Sequence, residues 1–275
     1  MLNDFVPVIK KLRLADFPST FTIVPLADAH YGSKEFNEAR WRKTIKRIQD
    51  DPNCFCVLVG DLIDNGLKNS LTNVYEATCS PRTQKEWLAE ELKPLAEAGK
   101  VIAACGGNHE RRSMKEADLD PLYDVLVRLG IEEVYRPNIC FLQVRLMRED
   151  DPKRWRYDFT YAITHGAGGG QYIGSSANRV QNFGMALEGI DCLVTGHTHK
   201  PLSFPAAKIV FENGRISRRQ FVVAVASSFL DYGGYPVQKL MTPTAHTMTE
   251  IVMRYSRSNE EDTIKDIRVT QGMNA

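Results

Sequence analysis

The sequence predicts an α/β fold in which a strand-rich second sheet packs on a first sheet built from βα units, with helices outside. Three observations carry this prediction. Short apolar runs alternate with helical periodicity up to about residue 130, strand patterns dominate from residue 141 onward, and histidines and aspartates gather where the apolar runs end. The length of 275 residues leaves the domain count open between one and two; the expectation adopted is a single domain, 1–275, with the stretch 200–275 completing the second sheet.

Residues 22–27 form an apolar run that ends at Asp28, and residues 54–59 form another that ends at Gly60-Asp61. Both read as buried strands. Between them Phe36, Ala39, Ile45 and Ile48 recur at approximately helical spacing, and Asp51-Pro52-Asn53 supplies a stop. A second helix is expected from a capping box at Thr83-Gln84-Lys85-Glu86, through Trp87, Leu88, Leu92 and Leu95, to a C-terminal cap at Gly99, with a bend at Pro94. A strand at 101–105, a Gly106-Gly107 turn, and a helix at 121–129 with Asp120 as N-cap continue the alternation. Strands then follow at 141–146, 155–164, 191–195, 207–211, 221–226 and 247–255, and Asn213-Gly214 marks a hairpin turn. Residues 65–81 and the glycine-rich 166–175 read as long loops, which in compact domains are often functional.

Composition excludes several classes. At 43% hydrophobic and 25% charged residues the chain is ordinary globular material, so disorder, collagen-like and coiled-coil readings fail. Thirty-five Lys and Arg against 34 Asp and Glu leave no global charge to attract nucleic acid or a membrane, so such attraction must be local. Local basic clusters do exist at 153–156 and 215–219. The longest unbroken apolar runs are six residues, far below the roughly 20 that span a bilayer, so no transmembrane helix and no membrane partner is expected. The N-terminal residues show no basic stretch followed by an apolar one and a cleavage site, and the expected compartment is the cytoplasm. Six cysteines without a C-x-x-C pair argue against a zinc site. Cys54, Cys56, Cys105 and Cys192 sit in or beside apolar runs and read as buried, reduced thiols.

The chemistry lies in the histidines. Five of six, His30, His109, His165, His197 and His199, stand at or just beyond strand ends, where side chains converge on an open crevice; His246 reads as ordinary structure. Asp28-x-His30 alone is weak, and Gly60-Asp61 weaker. Gly107-Asn108-His109-Glu110 is expected by chance only about 0.001 times in such a chain, and His197-x-His199 about 0.1 times. Carboxylates, imidazoles and an amide oxygen suit Mn, Fe, Zn or Ni and differ from the thiolate sets of structural zinc. One aspartate can bridge two metals about 3.5–4 Å apart, and such a pair clamps a phosphoryl group and activates water near neutral pH.

Asp28/His30, Gly60-Asp61-Leu62-Ile63-Asp64, Gly107-Asn108-His109-Glu110, His165 before Gly166, and Gly196-His197-Thr198-His199 together resemble the five-part signature of the calcineurin-like metallophosphoesterases. The resemblance covers residues 28–199 and implies a four-layer αββα sandwich of two mixed sheets flanked by helices. It implies two divalent metal ions, manganese foremost, one held by Asp28, His30, Asp61 and His199 and the other by Asp61, Asn108, His165 and His197. It further implies that His109 protonates the leaving oxygen while Asp64 holds its imidazole. Arg111 and Arg112 follow directly and could contact a substrate phosphate.

The expected activity is hydrolysis of a phosphoester by attack of metal-activated water, on a nucleotide or nucleic-acid phosphodiester. DNA exonuclease, phosphomonoesterase or protein phosphatase, and a non-catalytic metal-binding scaffold are the alternatives. Asn65-Gly66 after Asp64 departs from the Arg-Gly of protein phosphatases and argues against that branch. Oligomeric state is not legible.

Overall fold

The computed structural model describes residues 3–13, 20–68, 70, 76–147, 155–170, 172–255 and 265–273. Two mixed six-stranded sheets stack face to face. The first runs β12 (Lys265–Met273), β11 (Thr247–Tyr255), β2 (Thr20–Leu26), β3 (Cys54–Leu58), β4 (Val101–Cys105), β5 (Tyr135–Arg136). The second runs β1 (Val8–Arg13), β6 (Ile139–Met147), β7 (Trp155–Thr164), β8 (Cys192–Thr195), β10 (Arg215–Val225), β9 (Leu202–Glu212). The α/β prediction and its two-sheet arrangement hold. The strands β2 to β5 are parallel, with Leu26 opposite Leu58 and Leu58 opposite Ala104, so their carboxyl ends lie side by side. In the second sheet β7 and β8 are parallel, with Ile163 opposite Val194.

The central strands β3, β4 and β8 are buried at every position, which is why they read as unbroken apolar runs. Between the sheets, Phe21 of β2 meets Phe159 of β7 edge to face at 5.7 Å, and the Tyr161 hydroxyl of β7 meets the Met253 sulfur of β11. Helices α1 (Glu38–Asp50), α2 (Pro81–Glu97) and α4 (Pro121–Arg128) cover the outside of the first sheet, and α5 (Ile173–Ala186) covers the second. Two shorter helices, α3 (Glu110–Ala117) and α6 (Gly234–Gln238), lie in connections. In α1 the Asn37 side chain caps the first turn by accepting from Arg40 N at 3.0 Å, and Trp41, Thr44, Ile45 and Ile48 form the buried face.

The structure corrects the sequence reading at several places. The C-terminal strands do not all complete the second sheet: β9 and β10 do, but β11 and β12 pair beside β2 and extend the first. The cap of α2 is Ser80, whose hydroxyl accepts from Thr83 N at 3.2 Å, with Pro81 opening the helix, so the proposed box at Thr83 lies one turn inside. The glycine-rich loop ends early, because Ile173 already begins α5. The helices α3, α5 and α6 and the strands β1, β5 and β12 lie outside the elements expected from the sequence. Within the loop 65–81, residues 69 and 71–75 fall outside the described residues, as do Lys153 and Arg154 of the first basic cluster. In the second cluster Arg219 is tied to Glu188 at 2.9 Å and Glu212 at 2.6 Å. No helix is long and apolar enough to cross a membrane among the described residues.

Candidate metal centre

The carboxyl ends of five strands, three from one sheet and two from the other, meet at one edge of the sandwich. Asp28 and His30 follow β2, Asp61 follows β3, Asn108 and His109 follow β4, His165 follows β7, and His197 and His199 follow β8. Backbone hydrogen bonds latch these ends together: Asp28 N to Gly60 O at 3.1 Å, His30 N to Asp61 O at 3.0 Å, and Gly196 N to His165 O at 3.1 Å. The sheets are joined at the site itself, since His197 N donates to both Asp28 carboxylate oxygens at 2.8 and 3.1 Å. Close approach demands glycine here. A Cβ on Gly107 would stand 2.1 Å from Asp61 Oδ1, and one on Gly196 would stand 2.6 Å from Asp28 Oδ2.

The side chains form two donor sets that share Asp61. In the first, His199 Nε2 lies 3.2 Å from Asp28 Oδ1 and 3.2 Å from His30 Nε2, and His30 Nε2 lies 3.8 Å from Asp61 Oδ2. In the second, His165 Nε2 lies 3.1 Å from Asp61 Oδ2, 3.0 Å from Asn108 Oδ1 and 3.1 Å from His197 Nδ1, and His197 Nδ1 is 2.8 Å from Asn108 Oδ1. All seven residues assigned from the sequence are thus brought close together at one edge of the sandwich. Among the described residues three groups of metal-capable His and Asp side chains occur: Asp28, His30 and His199; His30, Asp61 and His109; and Asp61, His165 and His197.

The donor chemistry fits a cation. His165 Nδ1 donates to Val59 O at 2.8 Å, which leaves Nε2 as a bare lone pair facing a carboxylate oxygen, an amide oxygen and another ring nitrogen. Asp61 and Asn108 present oxygens, and the two ring nitrogens can present lone pairs beside them, a set that could hold a cation. Burial opposes charge on His165, yet the Asp61 carboxylate outweighs it and holds the imidazole up to about 9. Burial opposes ionisation of Asp61 too, but the surrounding imidazoles, His165 first, hold its carboxyl well below the usual range. His30 is pushed the other way, well below its ordinary value, by burial and then by neighbouring His109. Burial and neighbouring His165 likewise lower His197.

His109 adjoins both sets and forms a third group with His30 and Asp61. Its Nδ1 lies 2.7 Å from the Asp64 backbone carbonyl and 3.4 Å from the Asp64 carboxylate, so Asp64 holds the imidazole through its main chain more closely than through its side chain. Nε2 faces Asp61 Oδ2 at 3.8 Å. Burial opposes charge on His109, but Asp64 and Asp61 together raise it above its ordinary value. Arg112 is turned onto the same imidazole, with Nη2 at 2.8 Å from His109 Nε2 and Nη1 donating to Asp64 O at 2.9 Å. A substrate contact by Arg112 would need those bonds given up. Arg111 Nη2 donates to Pro137 O at 3.3 Å.

Two supporting residues escaped the sequence reading. Buried Glu110 accepts from Asp61 N, Leu62 N and Gly107 N, each at 2.9 Å, and so fixes both turns that carry Asp61 and Asn108. Its place in the 107–110 motif was the available signal. Asn65, read only as a departure from a phosphatase pattern, donates through Nδ2 to His109 O at 2.7 Å and so steadies the turn.

No protein of curated function matches the sequence. Among solved structures, Vps29 of Chaetomium thermophilum aligns over 93% of this chain and 98% of its own at 8% identity and a TM-score of 0.39. The same protein in complex with a cyclic peptide aligns over 92% and 96% at 9% identity and 0.36. A hypothetical protein from Thermus thermophilus aligns over 92% and 100% at 10% identity and 0.32. A family model described as calcineurin-like phosphoesterase matches residues 21–201, more than half of the chain. Matched over that span, which contains every residue of both donor sets, the chain belongs to the calcineurin-like phosphoesterase family.

Proposed function

We propose that the protein is a metal-dependent phosphodiesterase that acts on nucleotide or nucleic-acid phosphodiesters. The observation that carries this reading is the sharing of one carboxylate oxygen, Asp61 Oδ2, between two converging donor sets. Asp28, His30, Asp61 and His199 would hold one divalent ion, and Asp61, Asn108, His165 and His197 a second, with manganese the expected metal. Such a pair supplies neutralisation of phosphoryl charge and a lowered pKa for water. Aspartate, imidazole and amide donors suit it, and the thiols take no part: five of the six cysteines are buried, with burial pushing the Cys54 and Cys140 thiols up to about 12. Protonated buried thiols are also in keeping with a cytoplasmic setting.

His109 is the residue placed to give a proton to the leaving oxygen. Its Nδ1 is engaged by Asp64, so transfer would run through Nε2, which lies 3.8 Å from Asp61 Oδ2 and would have to be released by Arg112 Nη2, 2.8 Å from it. An alkoxide leaving group of a diester needs that proton more than most. The departure at Asn65 from the protein-phosphatase pattern favours the same side.

The test is a panel of assays on manganese-reconstituted protein with a phosphomonoester, a phosphodiester, cyclic nucleotides, and single- and double-stranded DNA. A higher kcat/KM on a diester than on any monoester is expected; the reverse order would reject the diester reading. Elemental analysis should give two metals per chain, and Asp61→Asn should weaken both sites. A stoichiometry of one, or an unchanged Asp61→Asn variant, would overturn the shared-carboxylate assignment.

A further inference from the structure

Thr198 belongs to neither donor set, yet it stands between His197, assigned to one ion, and His199, assigned to the other. Both neighbours hold the left-handed conformation, at φ 68° and 55°. Thr198 N donates back to Gly196 O at 2.8 Å and closes a three-residue turn around His197. A turn of that size with its central residue at positive φ is rare and strained, and it persists only where surrounding contacts over-determine it.

Two side-chain contacts restrain this turn. In one, His197 N donates to the Asp28 carboxylate at 2.8 and 3.1 Å, but Asp28 is itself assigned to an ion. In the other, Ser176 Oγ lies 3.1 Å from Thr198 Oγ1, and neither hydroxyl is in a donor set. Ser176 is buried in the first turn of α5. That helix is a firm support, since Val180 and Gly184 are buried against the second sheet and a Cβ on Gly184 would stand 2.5 Å from the Phe221 ring. Ser176 and Thr198 both line a cavity of about 250 Å³ between α5 and the ends of β7 and β8, so their bond ties the helix to the turn where packing is otherwise open.

We propose that Ser176 is a positioning residue for the metal centre: through Thr198 it anchors the turn that carries His197 and His199, and so sets the affinity for both ions at once. The anchored turn presents His197 Nδ1 at 2.8 Å from Asn108 Oδ1 and His199 Nε2 at 3.2 Å from Asp28 Oδ1, one imidazole in each donor set. Freed of the anchor, the turn relaxes from its strained conformation and both imidazoles leave those positions together. The restraint comes from outside the donor sets, so an ion does not compete for it as it competes for the Asp28 oxygens. The inference rests on the two-ion assignment of the proposed phosphodiesterase, and adds a residue from α5 that controls it.

The test is calorimetric titration of the metal-free chain with manganese, with a thermal melt of each metal-free variant alongside. Ser176→Ala and Thr198→Val should each weaken both ions by about 10–100-fold, the scale on which outer partners of metal ligands act. Thr198→Ser keeps the hydroxyl and should bind both ions as the wild type does. Because the two hydroxyls act as a pair, the double variant should bind no more weakly than either single one. A residue that merely stabilised the fold would lower the metal-free melting temperature and leave the affinities of the folded chain alone. Wild-type affinity in both single variants, weakening of one ion only, or losses that add in the double variant would overturn the anchor. Should Ser176→Ala fail to fold, Thr198→Val against Thr198→Ser decides by the same criteria. Hydrolysis of bis(p-nitrophenyl) phosphate by the wild type separates the two readings: paired losses of affinity without turnover keep the anchor and remove the catalytic function, and turnover with affinities unmoved in the variants does the opposite.

Discussion

Asp28, His30, Asp61, His197 and His199 hold φ between 49° and 68°, a left-handed conformation that side chains other than glycine adopt at a cost of about 1–3 kcal/mol each. Five of the seven candidate ligands are thus bent out of line with their strands, and backbone bonds such as His30 N to Asp61 O keep them there. Nothing in the residue types announces this strain; only the spacing of Asp and His around glycine was legible. At this scale the two roles of histidine separate by experiment. His109→Ala should lower turnover by roughly 10²–10⁴ while metal content stays near normal, with a smaller loss on nitrophenyl esters whose leaving group needs no proton. An emptied metal site, or equal loss on good and poor leaving groups, would remove the acid role. His165 makes the second prediction. Raised to about 9 in the metal-free protein, it must shed its proton to ligate, so metal affinity should climb from pH 6 toward pH 9 and then level off. His30 and His197 are lowered by burial and by neighbouring imidazoles and so add less to that slope. Calorimetry in buffers of different ionisation enthalpy reads the released proton directly; a pH-independent affinity with no proton released would contradict it.

At the scale of elements, legibility followed burial. The strands β3, β4 and β8 were visible because every residue is apolar, whereas β1 buries only Val8 and Leu12 on an edge and its Lys10-Lys11 pair hides it. The helix α3 was invisible for the opposite reason: of ERRSMKEA only Glu110 is buried, so no apolar face exists to give a period. That helix starts where it does because Glu110 reaches back to three backbone N–H groups around Asp61 and Gly107. Burial and the negative Asp61 raise the Glu110 carboxyl above its usual range, a cost accepted for the sake of those bonds. Glu110→Ala would leave three buried donors unpaired, at about 1–3 kcal/mol each, and should lower unfolding stability by at least about 3 kcal/mol. Denaturant melts that place the variant within about 1 kcal/mol of the wild type would show that the brace is dispensable.

Across the whole molecule, the βα first half and the strand-rich second half were both readable, but the destination of the last strands was not. Strand β11 crosses back to pair with β2 and β12 pairs with β11, and local pattern cannot say which of two stacked sheets a strand joins. The metal centre spans the same seam, with ligands from both sheets, so metal should stabilise the fold as a whole. At a free metal concentration one hundred times the dissociation constant the gain is about 2.7 kcal/mol, or roughly 5–10 °C in Tm. Thermal melts with manganese and with a chelator check this, and coincident melts would mean that the centre adds nothing to native stability.

His30 and His199 approach to 3.2 Å from positions 169 residues apart, one on each sheet. A cation held there acts as a reversible cross-link, the ionic counterpart of a staple closing a very long loop. In the proposed assignment neither sheet alone owns a complete donor set, because the first ion would need His199, after β8, and the second Asp61, after β3. Metal capture therefore cannot precede sheet stacking, which makes it a clock for the last step of folding: in refolding from denaturant, uptake of the ion should follow the burial of Phe21 against Phe159 and never lead it.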